Sequence, residues 1–263
     1  MTAVSLVQLD SSDSEPVGAR IVRALELTQE AADGAEMVLL PELWHIGAFA
    51  TDAVPEYAEP IDGDLVSAFR ELAGRVGKWV HLGSFAEIDA AGHHFNTSVV
   101  IDPSGTIAGI YRKIHLFGFT GGETTVMSAG GDIVVVPTAL GSTGIATCYD
   151  LRFPELFRGL LDRSTTTALV ASGWPASRIA HWSLFTRARA VENQMFVVAC
   201  NAVGDQRGVE LGGRSVVVDP TGAVVAEAGT NETILRAELD LAAVARYRDT
   251  FPVLADRRPD LYG

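Results

Sequence analysis

The sequence predicts an α/β protein, a four-layer αββα sandwich of two mixed sheets in pseudo-twofold halves, and three observations carry that expectation. Apolar strand-like runs alternate with amphipathic helical stretches, the pattern of helices packed on sheet faces. The octapeptide Ser98-Val99-Val100-Ile101-Asp102-Pro103-Ser104-Gly105 returns as Ser215-Val216-Val217-Val218-Asp219-Pro220-Thr221-Gly222, identical at six of eight positions. The apolar run Leu39-Leu40-Pro41-Glu42-Leu43-Trp44 is echoed by Leu169-Val170-Ala171-Ser172-Gly173-Trp174-Pro175. Motifs that occur twice point to two similar halves, and a pair of helix-covered sheets accounts for both echoes.

Each element follows from local pattern. Residues 3–9 alternate like a strand, and residues 17–32 put Ile21, Ala24, Leu25, Thr28 and Ala31 at helical spacing. A continuous apolar strand over 36–40 then ends at Pro41-Glu42. The unit recurs as a helix over 65–76 and a strand over 79–85. A strand over 96–101, closed by Asp102-Pro103-Ser104-Gly105 and followed by a return strand over 106–111, reads as a hairpin. Gly144-Ile145-Ala146 is strand-like, Phe153-Pro154-Glu155 opens a helix, and 195–201 is a buried strand. No Pro-, Gly- or Ser-rich linker interrupts the chain, so residues 1–263 are expected to form one domain.

Composition narrows the function. Lys and Arg number 20 against 33 Asp and Glu, a net charge of -13, which on average repels nucleic acid and anionic membranes. Small neutral substrates are unaffected. No apolar stretch approaches the roughly 20 residues needed to cross a bilayer, and the first residues show neither a basic segment nor a small-residue cleavage site. Two cysteines without CxxC spacing suggest neither a disulfide framework nor a zinc site, and scattered histidines (His93, His94, His115, His181) suggest no metal. The expectation is a cytoplasmic protein with neither metal nor cofactor.

Cys200 lies in an apolar strand and reads as core. Cys148, in Thr147-Cys148-Tyr149-Asp150-Leu151-Arg152, stands between a strand and a helix, where exposed N–H groups favour thiolate. Taken alone it fits a nucleophile and a buried structural cysteine equally well. An amide carbonyl attacked by a thiol needs a base, an oxyanion donor and an acid for the leaving ammonia. Glu42 ends a buried strand beside Leu43 and Trp44, where a solvated loop carboxylate fits poorly. Lys113, in Tyr111-Arg112-Lys113-Ile114-His115-Leu116-Phe117, is enclosed by apolar neighbours and calls for a carboxylate partner, for which Glu42 is the obvious choice.

On these three segments, in this order, the chain resembles the nitrilase superfamily, the carbon-nitrogen hydrolases, over nearly its whole length. Ala171-Ser172-Gly173-Trp174-Pro175, Ala188-Arg189-Ala190-Val191-Glu192-Asn193 and Arg257-Arg258-Pro259-Asp260-Leu261-Tyr262 are similar to further family patterns. The resemblance implies a catalytic Glu42, Lys113 and Cys148, with a second glutamate matched to Glu123 in Gly121-Gly122-Glu123. It implies attack by Cys148 with Glu42 as base, Lys113 and the Tyr149 backbone N–H holding the oxyanion, and an acyl thioester hydrolysed by water. Tyr-Asp-x-Arg-Phe after the cysteine is more similar to the amidase and Nit-type branch than to true nitrilases. The expected substrate is a small carboxamide. An ω-amidase or deaminated-glutathione amidase, an N-carbamoyl amidohydrolase and a nitrilase remain alternatives, and an acyltransferase or non-catalytic scaffold is a different class.

Trp44 and Trp174 either wall the pocket or belong to the core. Asp150 and Arg152 pair or cap the turn after Cys148, and Arg189, Glu192 and Asn193 bind neighbouring segments or a second subunit. A homodimer is expected, with residues 245–263 in its contacts.

Overall fold

The computed structural model describes residues 1–118 and 121–262. The first half runs β1 (Thr2–Gln8), α1 (Val17–Ala31), β2 (Met37–Leu39), α2 (Val54–Tyr57), α3 (Asp64–Val76), β3 (Trp79–Ile88), β4 (His94–Ile101), β5 (Ile107–Arg112) and α4 (Glu123–Val126). The second runs β6 (Val135–Thr138), β7 (Gly141–Thr147), α5 (Pro154–Asp162), β8 (Thr167–Ser172), α6 (Ile179–Asn193), β9 (Phe196–Asn201), β10 (Val203–Gln206), β11 (Val209–Gly212), β12 (Val216–Val218) and β13 (Val224–Glu227). β14 (Thr233–Leu239), α7 (Ala242–Thr250) and α8 (Pro259–Tyr262) close the chain.

Two six-stranded sheets result, ordered β14-β1-β2-β3-β4-β5 and β13-β12-β9-β8-β7-β6. Read from β14 in one and from β6 in the other, the pairings follow one sequence: antiparallel, parallel, parallel, antiparallel, antiparallel. The halves therefore repeat in topology, as the sequence echoes predict. The octapeptides form equivalent hairpin turns. Asp102 Oδ1 accepts from the Ser104 and Thr106 backbone N–H groups, and Asp219 Oδ1 accepts in the same way from Thr221 and Ala223.

Three apolar layers hold the sandwich together. Val4, Leu6, Leu39, Val100, Ile145, Leu169, Val198 and Cys200 fill the space between the sheets. Ala24, Phe69 and Ala73 from α1 and α3 cover one outer face, and Phe157, Leu160 and Ala190 from α5 and α6 cover the other. In α3 the buried Leu65, Val66, Phe69, Leu72 and Ala73 form one stripe, and Gly77 ends the helix at φ 65°. Full burial of Phe69 alone contributes about 2–3 kcal/mol.

The C-terminal segment packs on its own chain. Arg248 donates to the Thr165, Asn193 and Gln194 carbonyls, and Arg257 meets Asp162 at 2.7 Å. Among the described residues no helix is long and apolar enough to cross a membrane.

Candidate active site

The parallel strands of the two sheets end at one rim, and the echoed segments meet there. After β2 the chain turns through Pro41, Glu42 and Leu43, the last at φ 41°. Three contacts fix that turn. Leu43 donates its N–H to Ser84 Oγ (3.0 Å), Trp44 donates Nε1–H to the Leu82 carbonyl (2.8 Å), and Ser84 donates its N–H to the Pro41 carbonyl (3.1 Å). Gly83, at φ 77°, makes the close approach possible, because a Cβ there would lie 1.9 Å from the Pro41 oxygen. It sits in the irregularity of β3 between His81 and Ser84. Arg20, itself buried, locks the next residues by donating to the Trp44 and His45 carbonyls.

Glu42, Lys113 and Glu123 are brought together at 2%, 1% and 3% exposure, a depth at which ionised groups persist only when paired. Lys113 Nζ donates to Glu42 Oε1 (2.7 Å) and Glu123 Oε2 (2.6 Å). Asn96, on β4, donates Nδ2 to Glu42 Oε1 (2.9 Å) and Glu123 Oε1 (2.6 Å). The Gly173 N–H reaches Glu42 Oε2 (2.9 Å) from the end of β8, and the Phe117 N–H reaches Glu123 Oε2 (2.7 Å). Every carboxylate oxygen thus has a donor. Burial works against the Lys113 ammonium, but the charges of Glu123 and Glu42 together outweigh it and hold the proton well above the usual lysine range. Burial, with the Glu42 charge beside it, raises Glu123 above the usual carboxylate range despite Lys113.

Cys148 begins a tight turn over Cys148–Arg152 at the end of β7, with φ 44°, a left-handed backbone costly for a residue with a Cβ. A reciprocal cap holds the turn: the Thr147 side chain accepts the Asp150 N–H, and Asp150 Oδ2 accepts the Thr147 N–H at 2.8 Å. Asp150 also accepts from Tyr111 Oη (2.6 Å) and bonds His115 Nδ1 (2.7 Å), the residues two positions either side of Lys113. One buried aspartate therefore clamps the cysteine turn to the lysine strand. The Tyr149 N–H lies at the second position of this turn, where neither the turn's own ladder nor the Thr147 cap supplies an acceptor.

The thiolate expected from sequence is not what the surroundings favour. α5 starts only at Pro154, so the residue after the strand does not face a long helix's N-terminus. Burial first, then the negative charge of Glu42, pushes the Cys148 thiol well above its ordinary value, against the opposing charge of Lys113. The protein at rest holds a thiol with a carboxylate beside it.

These groups line one pocket, with Phe117, Tyr149 and Trp174 as aromatic walls. Trp174 is fixed from behind by Asn201, whose Oδ1 accepts the Trp174 N–H at 2.6 Å. Trp44, the other expected wall, lies elsewhere. It is fully buried, edge-on to Phe69 in the outer core, because its indole N–H is tied to Leu82. Arg152 does not pair with Asp150; its guanidinium stands 4.8 Å over the Trp174 ring and, with Arg178, lines the pocket. Arg189 and Glu192 join at 2.8 Å, and Arg189 ties α6 to the Leu151 carbonyl.

Asn96, Ser84, Gly173 and Asn201 were not among the residues that the sequence singles out. Asn96 left one signal, a strand-averse residue just ahead of the repeated octapeptide.

A thiol, a buried acid and a buried ammonium in one pocket form the equipment of a cysteine-dependent acyl-transfer or hydrolytic enzyme. The chain belongs to the carbon-nitrogen hydrolase family, whose model matches residues 3–249. It is 40% identical over 266 residues to a 2-oxoglutaramate amidase of Paenarthrobacter nicotinovorans, covering 98% of this chain and 90% of that one. It is 34% identical over 271 residues to the human omega-amidase NIT2, covering 100% and 98%. Saccharomyces cerevisiae Nit3, a member of branch 10 of the nitrilase superfamily, superposes with a TM-score of 0.89 at 31% identity over 98% of this chain and 96% of that one.

Proposed function

We propose that this enzyme hydrolyses a small carboxamide to carboxylate and ammonia through a thioester on Cys148. The observation that carries the reading is the paired Glu42–Lys113–Glu123 cluster buried beside a mostly buried thiol in one pocket. Glu42 takes the thiol proton as sulfur attacks the carbonyl carbon. The Lys113 ammonium and the Tyr149 N–H receive the developing oxyanion. Collapse passes the proton from Glu42 to the amide nitrogen, which leaves as ammonia. Water, giving a proton to Glu42, then attacks the thioester, and the thiol is regenerated with release of the acid. Glu123 keeps the ammonium in place and balances its charge.

Two arginines narrow the substrate. Arg152 and Arg178 line the pocket, and among the described residues neither has a carboxylate within ion-pair distance. Burial first, and then the charge of Arg178, lowers Arg152 from its ordinary value. Guanidinium groups without a carboxylate partner among the described residues, in a protein of net charge -13, suit a substrate that brings its own carboxylate. With relatives named 2-oxoglutaramate amidase and omega-amidase, the class that fits is the ω-amide of a short dicarboxylic acid.

Ammonia release should favour succinamate over butyramide by about tenfold or more in kcat/KM, a preference that Arg152→Gln and Arg178→Gln each shrink. Equal use of both amides would remove the ω-amide assignment while leaving amide hydrolysis intact. Hydroxylamine tests the transferase alternative: acid, with little hydroxamate, is expected. The reading includes a cytoplasmic homodimer that uses the C-terminal segment, where Phe251, Val253 and Leu261 stay exposed. Sedimentation as a monomer at micromolar concentration would remove the dimer.

A further inference from the structure

We propose that Asn96 is a positioning residue that decides which oxygen of Glu42 receives the thiol proton, a role that rests on the Glu42–Cys148 chemistry proposed above. Asn96 is fully buried on β4, and its backbone carbonyl accepts the Lys113 N–H (2.9 Å), so backbone and side chain both face the cluster. Its amide nitrogen has two protons, and both are used: one on Glu42 Oε1, the other on Glu123 Oε1. Its carbonyl Oδ1 is buried without a hydrogen-bond partner. An orphaned acceptor costs stability, and turning the amide over would point that oxygen at two carboxylates. The orientation is therefore dictated by the acids.

The consequence lies in the protonation of Glu42. Its Oε1 already accepts from Asn96 Nδ2 and Lys113 Nζ, whereas Oε2 accepts one bond, from the Gly173 N–H. A proton placed on Oε1 would face two N–H donors and displace one of them. Oε2 is the oxygen with capacity left, and it belongs to the side of Glu42 bonded at Gly173, a residue of the pocket wall shared with Cys148. Asn96 thus keeps the working oxygen facing the substrate and the other closed. The same amide does a second thing. One ammonium cannot neutralise two carboxylates, and the amide gives each acid a donor without adding charge.

The experiment compares Asn96→Ala and Asn96→Asp with Cys148→Ala, using succinamate and butyramide and following ammonia release from pH 5 to 9. Both Asn96 variants are expected to lose about a hundredfold in kcat with KM changed less than about threefold. In Asn96→Ala the acid limb of kcat/KM should move to higher pH, because a carboxylate that has lost an N–H donor holds its proton more tightly. A folded Asn96→Ala enzyme with unchanged kcat and an unmoved acid limb would overturn the proposal. So would a loss of folding in both variants, which makes Asn96 structural only. Failure of the underlying chemistry reads differently: Cys148→Ala would then keep its turnover.

Discussion

Two buried regions of this protein meet the same physical pressure and answer it in opposite ways. At the rim, Glu42 and Glu123 are paired with Lys113 at 2.7 and 2.6 Å, and a polar amide completes the set. Between the sheets, the buried groups stay neutral. Cys200 donates its thiol to the Val7 carbonyl (3.3 Å), and burial raises it well above the ordinary value. His81 pairs in register with Leu39 and Val100 of the inter-sheet core, and both its ring nitrogens lack partners. Burial pushes it down to about 4. Both thiols are therefore protonated at rest, and the raised value alone does not mark a nucleophile. What separates Cys148 from Cys200 is a carboxylate and an ammonium within reach, at a strand end that opens on a pocket.

The largest test of that contrast is to remove each sulfur. Cys148→Ala should lower amide turnover by about ten-thousandfold or more while the fold persists, and Cys200→Ala should keep kcat within about twofold. Turnover surviving in the first would end the nucleophile assignment. Next comes reactivity: iodoacetamide should alkylate Cys148 in the folded protein, read by peptide mass, and Cys200 only after denaturation. Labelling of Cys200 in the native state would show that the inter-sheet layer opens.

Acid tests the neutral region. His81 ionises freely in the unfolded chain near 6.5 but only near 4 when folded, so the unfolded state binds the extra proton between those values. Stability is full above about pH 6.5 and is lost as pH falls toward 4, by at most about 3 kcal/mol from this residue. His45, pushed to about 3 by burial and the charge of Arg20, adds to the same slope. His81→Leu should flatten the dependence of Tm on pH between 6.5 and 5; an unaltered slope would remove His81 from that account. The smallest effect belongs to the stability of Cys200→Ala, a loss of about 1 kcal/mol in chemical denaturation, because one small buried group leaves a small cavity.

Much of this was legible in the chain. Strand and helix periodicities fall within a few residues of the observed elements, and the two octapeptides mark turns with the same Asp-centred bonding. The echo of Leu39–Trp44 in 169–175 anticipated that both segments end strands, but not that Gly173 of one would donate to Glu42 of the other. Trp44 and Trp174, each readable from sequence as pocket wall or as core, separate only in the structure. They occupy matching places in the echoed segments, yet one is tied into the outer core and the other walls the pocket. Residue type and local position are the same; the neighbours are not.

The sequence by itself determined the fold class, the repeat and the identity of the chemical groups, because these rest on short-range periodicity, turn chemistry and the expense of burying charge. The tertiary structure alone decided how those groups act. Segments more than 100 residues apart had to converge before Glu42 could meet Gly173, and the protonation of Cys148 depends on burial and charges contributed from distant strands. Hydrogen-bond direction is set by that convergence, and so the part of Asn96 became readable only once both acids stood beside it.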